Sequence, residues 1–336
     1  MRVLWVHNFP PDVVSSGVFM HILYEQMRSL GVDVTLHYTG NLRSPVRMLR
    51  AARQLRAVAG EYDLVHAQFG SACGLITSFT PGAKLVTLRG TDLRGMDFGS
   101  VWHRAHGFLA RLFSRVGLRR YRNIIVMSER MRREVRQICS SAEIDVVPSG
   151  IDLDRFQPMD RMEARRRLGE GRDGSPWVLF SSLQGVTNPI KRAPLARAAI
   201  EVLQSTRPDV QLKVLTGVPH DRLPLWINAC NAVLLTSTRE GWPNIIKEAL
   251  ACNVPFVSTD VSDLAAIAEA EPNCFVADAV PQALARALAE TLDYRGPSNL
   301  RRRVAPMAVD AIGHRLLGIY HRLCPSETLT NVEFHS

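Results

Sequence analysis

The chain has 336 residues, enough for two domains of ordinary size, and 46% of its residues are hydrophobic while 22% are charged, which is typical of a globular protein that buries a full core. It contains no apolar run long enough to cross a membrane and starts directly with a strand-like segment, so we expect neither a transmembrane helix nor a signal peptide. The net charge of +9 indicates an acidic partner: nucleic acid, an anionic membrane surface or a phosphorylated small molecule.

The six cysteines are scattered along the chain and form no C-x-x-C pair. Most of them stand in apolar surroundings. This usage predicts a reduced, cytoplasmic protein without structural zinc.

Strand-like apolar runs alternate with helical patterns along the whole chain, and this alternation predicts an α/β fold with parallel sheets. The predicted strands are 2–7, 32–38, 63–68, 84–88, 123–127, 177–182, 210–216, 232–235 and 255–258. The predicted helices include 18–30, 44–58, 128–137, 193–204, 243–252, 281–292 and 304–323. Residues 159–175, rich in Arg, Glu and Gly, are predicted to form a linker between the two halves.

The turn between the first strand and the first helix contains Ser15, Ser16 and Gly17. A doubly wound fold places its phosphate-binding loop at this position, although an ordinary tight turn would look the same. The turn is not a G-x-G-x-x-G sequence, so a nicotinamide cofactor is not supported.

A long basic segment follows from His103 to Gln137. In its first part, Arg104, Arg111, Arg115, Arg119, Arg120 and Arg122 lie among Phe108, Leu109, Leu112, Phe113 and Val116. Apolar residues at this spacing predict an amphipathic helix, for which Gly117 is a plausible end. Such a face favours an anionic membrane surface or a lipid-diphosphate acceptor, and a plain solvated helix face is the alternative.

The most informative segment is 236–255, which is predicted to form a loop and a helix between two buried strands. Pro243 suits the first helical position, and Gly241 and Trp242 offer no side chain to cap the helix. A phosphate would satisfy the uncapped backbone N–H groups. Glu240 lies just before this anion site and Glu248 lies more than a turn into the helix, so a ligand with hydroxyls on both sides of its phosphates, a nucleotide sugar, fits the segment.

The segment resembles the E-x7-E motif of the retaining GT-B glycosyltransferases of glycosyltransferase family 4. Glu240 and Glu248 have the required spacing. The spacing alone is common by chance in helices, where both carboxylates would simply be solvated charges. The extended sequence E-G-x-P-N-x-x-K-E-A-x-A-C-N-x-P is far more specific. The resemblance implies two Rossmann-like domains with parallel sheets, which face an interdomain cleft.

Residues 146–156 (VVPSGIDLDRF) resemble the family's junction between the two domains, with Ser149 where asparagine is usual. The resemblance therefore implies an acceptor-side domain at 1–158 and a donor-binding domain at 159–304. A terminal helix, at about 305–324, crosses back onto the first domain. Asp152 and Asp154 also form a D-x-D pattern, but the junction explains them and no further acidic cluster joins them, so we reject a metal site.

The resemblance implies that the second domain holds the nucleotide sugar. Glu240 would contact the sugar hydroxyls, Glu248 the ribose hydroxyls and Lys191 the diphosphate. The family's loop arginine is missing, since Gln184, Gly185 and Asn188 occupy its region, and Arg192 is the proposed substitute. The remaining implied donor contacts are Ser16, Gly17, Val218, His220, Gly241, Trp242, Pro243, Asn244 and Ile245.

Two further positions resemble the family's first domain. His66 matches a strand-end histidine that is structural as often as functional. Arg89, in the sequence Arg89-Gly90-Thr91-Asp92, stands where a histidine near the transferred sugar is usual. Arginine stays charged and cannot shuttle a proton, but it can bind a sugar hydroxyl or an anionic group on the donor or the acceptor.

The activity that the resemblance implies is transfer with retention of configuration, from a nucleotide sugar (a UDP-sugar favoured, a GDP-sugar possible) to a hydroxyl of a glycan, lipid-linked or small-molecule acceptor. No metal or other cofactor is expected. By analogy, bacterial surface-polysaccharide biosynthesis is the expected setting, with a secondary-metabolite pathway as the alternative. The expected location is the cytoplasm, with a peripheral contact to the inner face of the membrane through the basic helices of the first domain.

Two alternatives remain open: a non-catalytic nucleotide-sugar-binding homologue and a sugar-nucleotide epimerase on the same fold. Arg89 and the missing loop arginine motivate the first, whereas the catalytic carboxylates of the second are not evident. Nucleic-acid binding is not expected, because no aromatic stacking platform or recognition motif accompanies the basic charge.

Overall fold

The structure, a computed structural model, describes residues 1–10, 17–94, 101–170, 174–182 and 187–325, with backbone only at residues 18, 94 and 101–106. Two separate parallel sheets organise the chain. This arrangement confirms the predicted α/β fold with two Rossmann-like units. Among the described residues, no helix combines the length and the apolar character that a membrane span requires.

The first sheet has six strands in the order β2-β1-β3-β4-β5-β6. The strands are β1 Arg2–His7, β2 Asp33–Tyr38, β3 Leu64–Ala67, β4 Ala83–Thr87, β5 Asn123–Val126 and β6 Glu143–Val146. Their order reverses between β1 and β3, the point at which a doubly wound sheet opens a crevice at its carboxyl edge.

The second sheet has five strands in the order β11-β10-β9-β7-β8. The strands are β7 Trp177–Ser181, β8 Gln211–Leu215, β9 Ala232–Leu235, β10 Phe256–Ser258 and β11 Phe275–Val276. The order reverses between β7 and β9. The loops that leave these two strands carry Lys191 and Glu240, so the predicted site lies at the second sheet's own crevice.

Helices cover both sheets, because parallel strands that are buried on both faces need a helical layer on each side. The helices are α1 Val18–Ser29, α2 Pro45–Ala59, α3 Ser71–Thr77, α4 Thr91–Arg94, α5 Val101–Leu118, α6 Glu129–Arg136, α7 Arg161–Leu168, α8 Ala193–Gln204, α9 Leu223–Ala229, α10 Asn244–Ala251, α11 Leu264–Ala270, α12 Pro281–Asp293 and α13 Val309–Leu323. Two short 3₁₀ turns, Leu300–Arg303 and Ala305–Met307, precede α13.

The predicted linker at 159–175 is wrong, since α7 occupies its centre. Asp160 caps the helix by accepting a hydrogen bond from the N–H of Glu163 at 2.8 Å, and Gly169 ends it with φ 72°. Arg165 is fully buried, with its guanidinium 4.0 Å from the centre of the Trp177 ring. The prediction failed because the polar composition of this segment is typical of a linker, although α7 buries its Arg165 against the second sheet.

The terminal helix crosses back onto the first unit, as predicted, but it begins at Val309 rather than at 304 because the two 3₁₀ turns come first. Gly313 lets α13 approach α1, since a Cβ there would lie 2.6 Å from Cγ of Gln26. Tyr320 accepts a hydrogen bond from the indole N–H of Trp5 at 2.8 Å. Helix α13 therefore completes the core of the first unit.

The two units also meet at the start of α6. Asp263, from the second unit, accepts hydrogen bonds from the backbone N–H groups of Glu129 and Arg130, at 2.8 and 3.0 Å. Arg130 in turn forms an ion pair with Asp260 at 3.0 Å. A carboxylate of one unit thus caps a helix of the other and fixes their relative position.

Candidate functional site

The helix α10 begins where the two units meet. Gly241 of the second unit contacts Arg89 and Gly90 of the first there, and we call this contact the seam. Pro243 precedes it rather than occupying its first position, because its ψ of 116° is extended; that part of the prediction is wrong by one residue. No side chain of the described residues caps the helix. Trp242, Pro243 and Ile245 are buried and Asn244 is exposed. The first N–H groups of α10 remain available to an anion.

Lys191 and Glu240 lie together beside the start of α10. The ammonium of Lys191 is 2.6 Å from Oε1 of Glu240, which also accepts a hydrogen bond from the hydroxyl of Ser237 at 2.7 Å. The side chains are 25% and 18% exposed, so both can still reach a ligand. Sequence reasoning predicted both residues but not their ion pair.

Arg192, the predicted substitute for the loop arginine, supports the backbone of the same site. Its guanidinium donates hydrogen bonds to the carbonyls of Thr236 at 2.6 Å and Ser237 at 3.1 Å. The residue has φ 51°, in the left-handed region. These bonds tie the loop before α8 to the loop after β9, and a phosphate contact by Arg192 stays a prediction.

Glu248 lies on the other side of α10, where its carboxylate meets His220. The His220 Nε2 and Glu248 Oε1 atoms are 3.2 Å apart. Arg155 donates to Nδ1 of His220 at 3.1 Å, which places the histidine proton on Nε2, toward the carboxylate. The ring of Phe156 packs edge-on against His220 with centroids 5.5 Å apart. The structure thus brings His220 and Glu248 together and adds two residues of the junction.

Arg89 lies at the carboxyl end of β4 and faces the seam. Its Nη1 donates to the hydroxyl of Ser149 at 2.9 Å, and its guanidinium lies 4.0 Å from the centre of the Phe19 ring. Nε and Nη2 make longer contacts, 3.4 Å each, with the backbone carbonyl and the side-chain Oε1 of Gln68. Burial lowers the pKa of Arg89 to about 10, which leaves it cationic at neutral pH.

The loop that carries Arg89 touches the start of α10 directly. A Cβ on Gly241 would lie 2.3 Å from the carbonyl oxygen of Arg89, and one on Gly90 would lie 3.0 Å from the backbone nitrogen of Gly241. Gly90 also has φ 110°, a conformation that favours glycine. The two units therefore meet backbone to backbone at the predicted reaction centre.

Lys247 is a buried cation that sequence reasoning did not assign to the site. Its ammonium donates to the carbonyl of Ser149 at 2.6 Å, across the seam, and lies 5.7 Å from the centre of the Trp242 ring. Burial lowers its pKa to about 7. Ser149 therefore accepts a hydrogen bond from Lys247 with its carbonyl oxygen and one from Arg89 with its hydroxyl oxygen.

His66 belongs to the support of the first sheet. Its Nδ1 accepts from the hydroxyl of Tyr320 at 2.6 Å and from the amide of Gln68 at 3.1 Å, so Nε2 carries the proton and donates to Thr87 at 2.7 Å. Burial lowers its pKa to about 3, so the ring is neutral. Of the two roles left open, the structure supports the structural one.

The remaining predicted residues are less constrained. Gly17, at φ 75°, starts α1 and packs beside the ring of Phe9. Val218 packs partly buried against the core. Asn188 accepts a hydrogen bond from the N–H of Ile190 at 3.0 Å. Ser16, Gln184 and Gly185 lie outside the described residues, so their predicted roles are not addressed.

The residues that sequence reasoning missed share a property: they act through contacts between distant segments. Ser149 was noted only as a departure from the family's junction, and Phe19, Gln68 and Lys247 were not singled out. The departures at Arg89 and Ser149 were a usable signal, because the two side chains touch. Both departures from the family's pattern therefore lie at one contact.

Two parallel-sheet units that meet over an uncapped helix, an ion-paired lysine and a buried glutamate fit the GT-B class of glycosyltransferases. Residues 5–155 match the family model described as Glycosyltransferase Family 4, and residues 191–294 match the model described as Glycosyl transferases group 1. Each unit of the chain therefore matches a glycosyltransferase model of its own. Both matches agree with the motif-based interpretation.

Related proteins carry similar descriptions. The chain is 24% identical to TuaC of Bacillus subtilis, described as a teichuronic acid biosynthesis glycosyltransferase, over 86% of this chain and 88% of that protein. It is 29% identical to the D-inositol 3-phosphate glycosyltransferase of Frankia alni, over 49% of this chain and 48% of that protein. The second alignment therefore spans about half of either chain.

Solved structures share the fold at low identity. A sucrose-phosphate synthase from Thermosynechococcus elongatus superposes with a TM-score of 0.71 at 18% identity, covering 96% of this chain and 99% of that one. HepE of Anabaena, solved in complex with UDP and glucose, gives 0.68 at 16% identity, covering 96% and 100%. At these identities the similarity shows the GT-B fold alone.

Proposed function

We propose that the chain transfers a hexosyl or related sugar from a nucleotide sugar to an acceptor hydroxyl, with retention of configuration. The proposal depends on one observation: the uncapped start of α10 lies between the Lys191–Glu240 pair and the Glu248–His220 pair. A donor needs these groups in this order, since its sugar, diphosphate and ribose follow one another. The similarity to HepE, solved with UDP and glucose, favours a UDP-sugar, with a GDP-sugar as the second choice.

In this proposal the protein acts by positioning and electrostatics. The donor's bond between the anomeric carbon and the diphosphate oxygen breaks, and a bond from the same carbon to the acceptor oxygen forms on the same face. The acceptor's proton passes to the departing diphosphate. Lys191 and the N–H groups of α10 stabilise the charge that develops on that diphosphate. These donors are protein groups, so we propose a mechanism without a metal or other cofactor.

The two glutamates have separate roles in the proposal. Glu248, with His220 as its neighbour, would hold the ribose hydroxyls, and Glu240 would hold hydroxyls of the transferred sugar. Lys191 has three N–H donors and uses one on Glu240. The remaining donors can bind the diphosphate while Glu240 is kept in place.

A donor panel tests the proposed function. We expect UDP-sugars to raise the unfolding temperature more than matched GDP- or dTDP-sugars, because a bound donor stabilises in proportion to the logarithm of its concentration over Kd. NMR of the product should show the donor's anomeric configuration. An inverted product would contradict the retaining mechanism, and no shift with any donor would contradict the function.

Substitution of Glu240 tests its role. Glu240→Gln should lower turnover at least tenfold while the donor affinity, measured by calorimetry, changes little, because the sugar contacts matter most as the bond breaks. Glu163→Gln, in the exposed Glu163–Arg166 pair of α7, is the matched control. Equal loss of affinity and turnover would make Glu240 a plain binding group.

A second part of the proposal concerns the membrane. On α5, Phe108 is 59% exposed, and Leu109, Leu112 and Val116 are each at least 43% exposed. No Asp or Glu occurs from residue 101 to residue 122, which contains the arginines named above. Exposed apolar and basic side chains on one helix suit the anionic face of a bilayer.

The neighbouring helices extend the same surface. Helix α3 packs against both α2 and α5, so the three helices form one layer. The outer side of α2 exposes Val46 and Leu49, at 67% and 54%, beside Arg47, Arg50 and Arg53. We propose that this layer rests on the inner face of the membrane, where a lipid-linked or glycan acceptor is presented. Polysaccharide assembly is the setting that the name of TuaC suggests.

Vesicle binding tests the membrane contact. The wild-type chain should sediment with vesicles of phosphatidylglycerol, less so at high salt, and Phe108→Ser with Leu112→Ser should abolish most of this binding. Val280→Ser removes a residue that is 48% exposed on the second unit and serves as the control. If the control and the double variant bind equally, the proposed surface is wrong.

A further inference from the structure

The guanidinium of Arg89 is a partly buried cation whose hydrogen bonds within the described residues all go to neutral groups. They are the hydroxyl of Ser149, the backbone and side-chain oxygens of Gln68, and the sulfur of Met127 at 3.9 Å. The two contacts with Gln68 are 3.4 Å long, beyond the usual range for a hydrogen bond. Only the contact with Ser149 is of ordinary length.

The charge of Asp92 raises the pKa of Arg89, but this carboxylate makes no ion pair with the guanidinium. Asp92 uses its carboxylate on backbone N–H groups: Oδ1 and Oδ2 both accept from Arg89, and they accept further from Gly90 and Gly70 at 2.8 and 2.9 Å. These bonds shape the loop after β4. Among the described residues, no carboxylate forms an ion pair with the Arg89 guanidinium.

The surroundings of Arg89 add further positive potential. Lys247 is buried and contacts the carbonyl of the same Ser149, and the charge of Arg89 contributes to the lowered pKa of Lys247. The uncapped start of α10 meets the Arg89 loop at Gly241. A guanidinium in a partly desolvated place without an ion-pair partner is costly unless an anion binds there.

We propose that Arg89 is a specificity residue that binds the carboxylate of a hexuronic acid, either on the donor's sugar or on the terminal residue of the acceptor. This inference rests on the proposed function, since it places the carboxylate at the sugar end of a nucleotide-sugar site. The departing diphosphate already has Lys191 and the helix start. Arg89 lies on the opposite unit, next to Gly241, where the sugar and the acceptor meet.

The chemistry of arginine favours a carboxylate over a hydroxyl. The guanidinium is a planar fork that binds a carboxylate through two parallel hydrogen bonds, and charge-assisted bonds of this kind are stronger than the long contacts with Gln68. Phe19, with its ring centre 4.0 Å from the guanidinium carbon, fixes the plane of the fork. A neutral hexose would leave the charge without a partner.

Matched donors test the inference. We expect the wild-type enzyme to use UDP-glucuronic acid with a kcat/KM roughly ten- to a hundredfold above that for UDP-glucose, as loss of a charge-assisted bond predicts. Arg89→Gln should remove this preference, and Arg89→Lys should keep part of it. Arg28→Gln, an exposed arginine on α1, is the control and should keep the wild-type ratio. Urea unfolding of each variant shows that it is folded.

Matched acceptors distinguish the two sources of the carboxylate. If the wild-type enzyme uses both donors equally, acceptors that end in glucuronic acid and in glucose are compared in the same way. A preference that disappears in Arg89→Gln in either comparison supports the inference and identifies the source. Equal use of all four substrates by both proteins overturns it and leaves the proposed function standing. Failure to bind any UDP-sugar or GDP-sugar overturns both.

Discussion

The two walls of the cleft are built in different ways. The wall formed by the second unit comes mainly from one continuous segment of twelve residues, about the length of one loop and one helix. This segment contains Ser237, Glu240, Gly241, Lys247 and Glu248. The wall formed by the first unit comes from separate segments: Phe19, Gln68, Arg89 and Ser149 meet only after the sheet has formed.

This difference separates two kinds of information. A continuous wall keeps its chemistry in the local sequence, so a donor site can be predicted from its motif. The contacts of an assembled wall, such as that between Arg89 and Ser149, join distant positions and cannot be predicted from one local motif.

The largest effect is expected where the two walls touch. Gly241→Ala would place a Cβ 2.3 Å from the carbonyl of Arg89, so the walls must separate. We expect turnover to fall roughly a hundredfold or more, because misplacement of the reacting groups by about 1 Å is enough for such a loss. Gly60→Ala, where a Cβ meets nothing within 4 Å, is the control. Full activity of the Gly241 variant would contradict the contact.

A smaller effect, on binding affinity, should distinguish the role of the second wall from that of the first. Glu248→Ala should weaken donor binding by about 1.5–3 kcal/mol, because a hydrogen bond to a charged group is lost. Arg89→Gln should leave the affinity for free UDP unchanged, since free UDP lacks the sugar that is transferred. Isothermal titration with UDP and with the donor measures both. An unchanged affinity in the Glu248 variant would remove that residue from the site.

The contacts of Tyr320 that hold α13 on the first sheet can be removed without changing the residues of either wall. Tyr320→Phe removes the hydroxyl that accepts from Trp5 and donates to His66, and should cost about 1–3 kcal/mol in the free energy of unfolding. Tyr38→Phe, at a residue that is 43% exposed, should cost far less. Urea denaturation measures both. Equal stability of the two variants would show that α13 does not hold the first sheet together.

The smallest predicted effect is a pH dependence at the seam. Burial lowers the pKa of Lys247 from 10.5 to about 7, so between these values the unfolded chain binds the extra proton. The free energy of unfolding should therefore rise from pH 7 to pH 8.5, by up to about 2 kcal/mol for one proton, relative to Lys247→Met. Parallel curves for wild type and variant would show that Lys247 is not buried in solution.

Local rules predicted most of the fold. Apolar runs predicted nine of the eleven strands, and the motif identified α10 and the two glutamates; the short edge strands β6 and β11 were not predicted. The boundary at Pro243 was missed by one residue because ψ, which the sequence does not reveal, decides whether a proline belongs to a helix. Helix α7 was missed because its buried Arg165 looks like a linker residue until Trp177 is placed against it.

The site was predictable only where its partners are near in sequence. Lys191 and Glu240 were found separately, but their ion pair requires the ends of β7 and β9 to be neighbours. His66 could not be assigned, since its environment depends on Tyr320, more than two hundred residues away. Arg192 was predicted as a phosphate ligand from its place in the sequence, whereas its hydrogen bonds to the carbonyls of Thr236 and Ser237 depend on a loop more than forty residues away.

The crossing helix has a consequence for synthesis on the ribosome. The indole of Trp5 and the imidazole of His66 each form a hydrogen bond with the hydroxyl of Tyr320. Tyr320 is among the last described residues to be translated, so both bonds form late. The first unit therefore stays incomplete while the nascent chain grows, and the second unit can finish before it. We therefore expect the first unit to mature after the second, opposite to the order of translation.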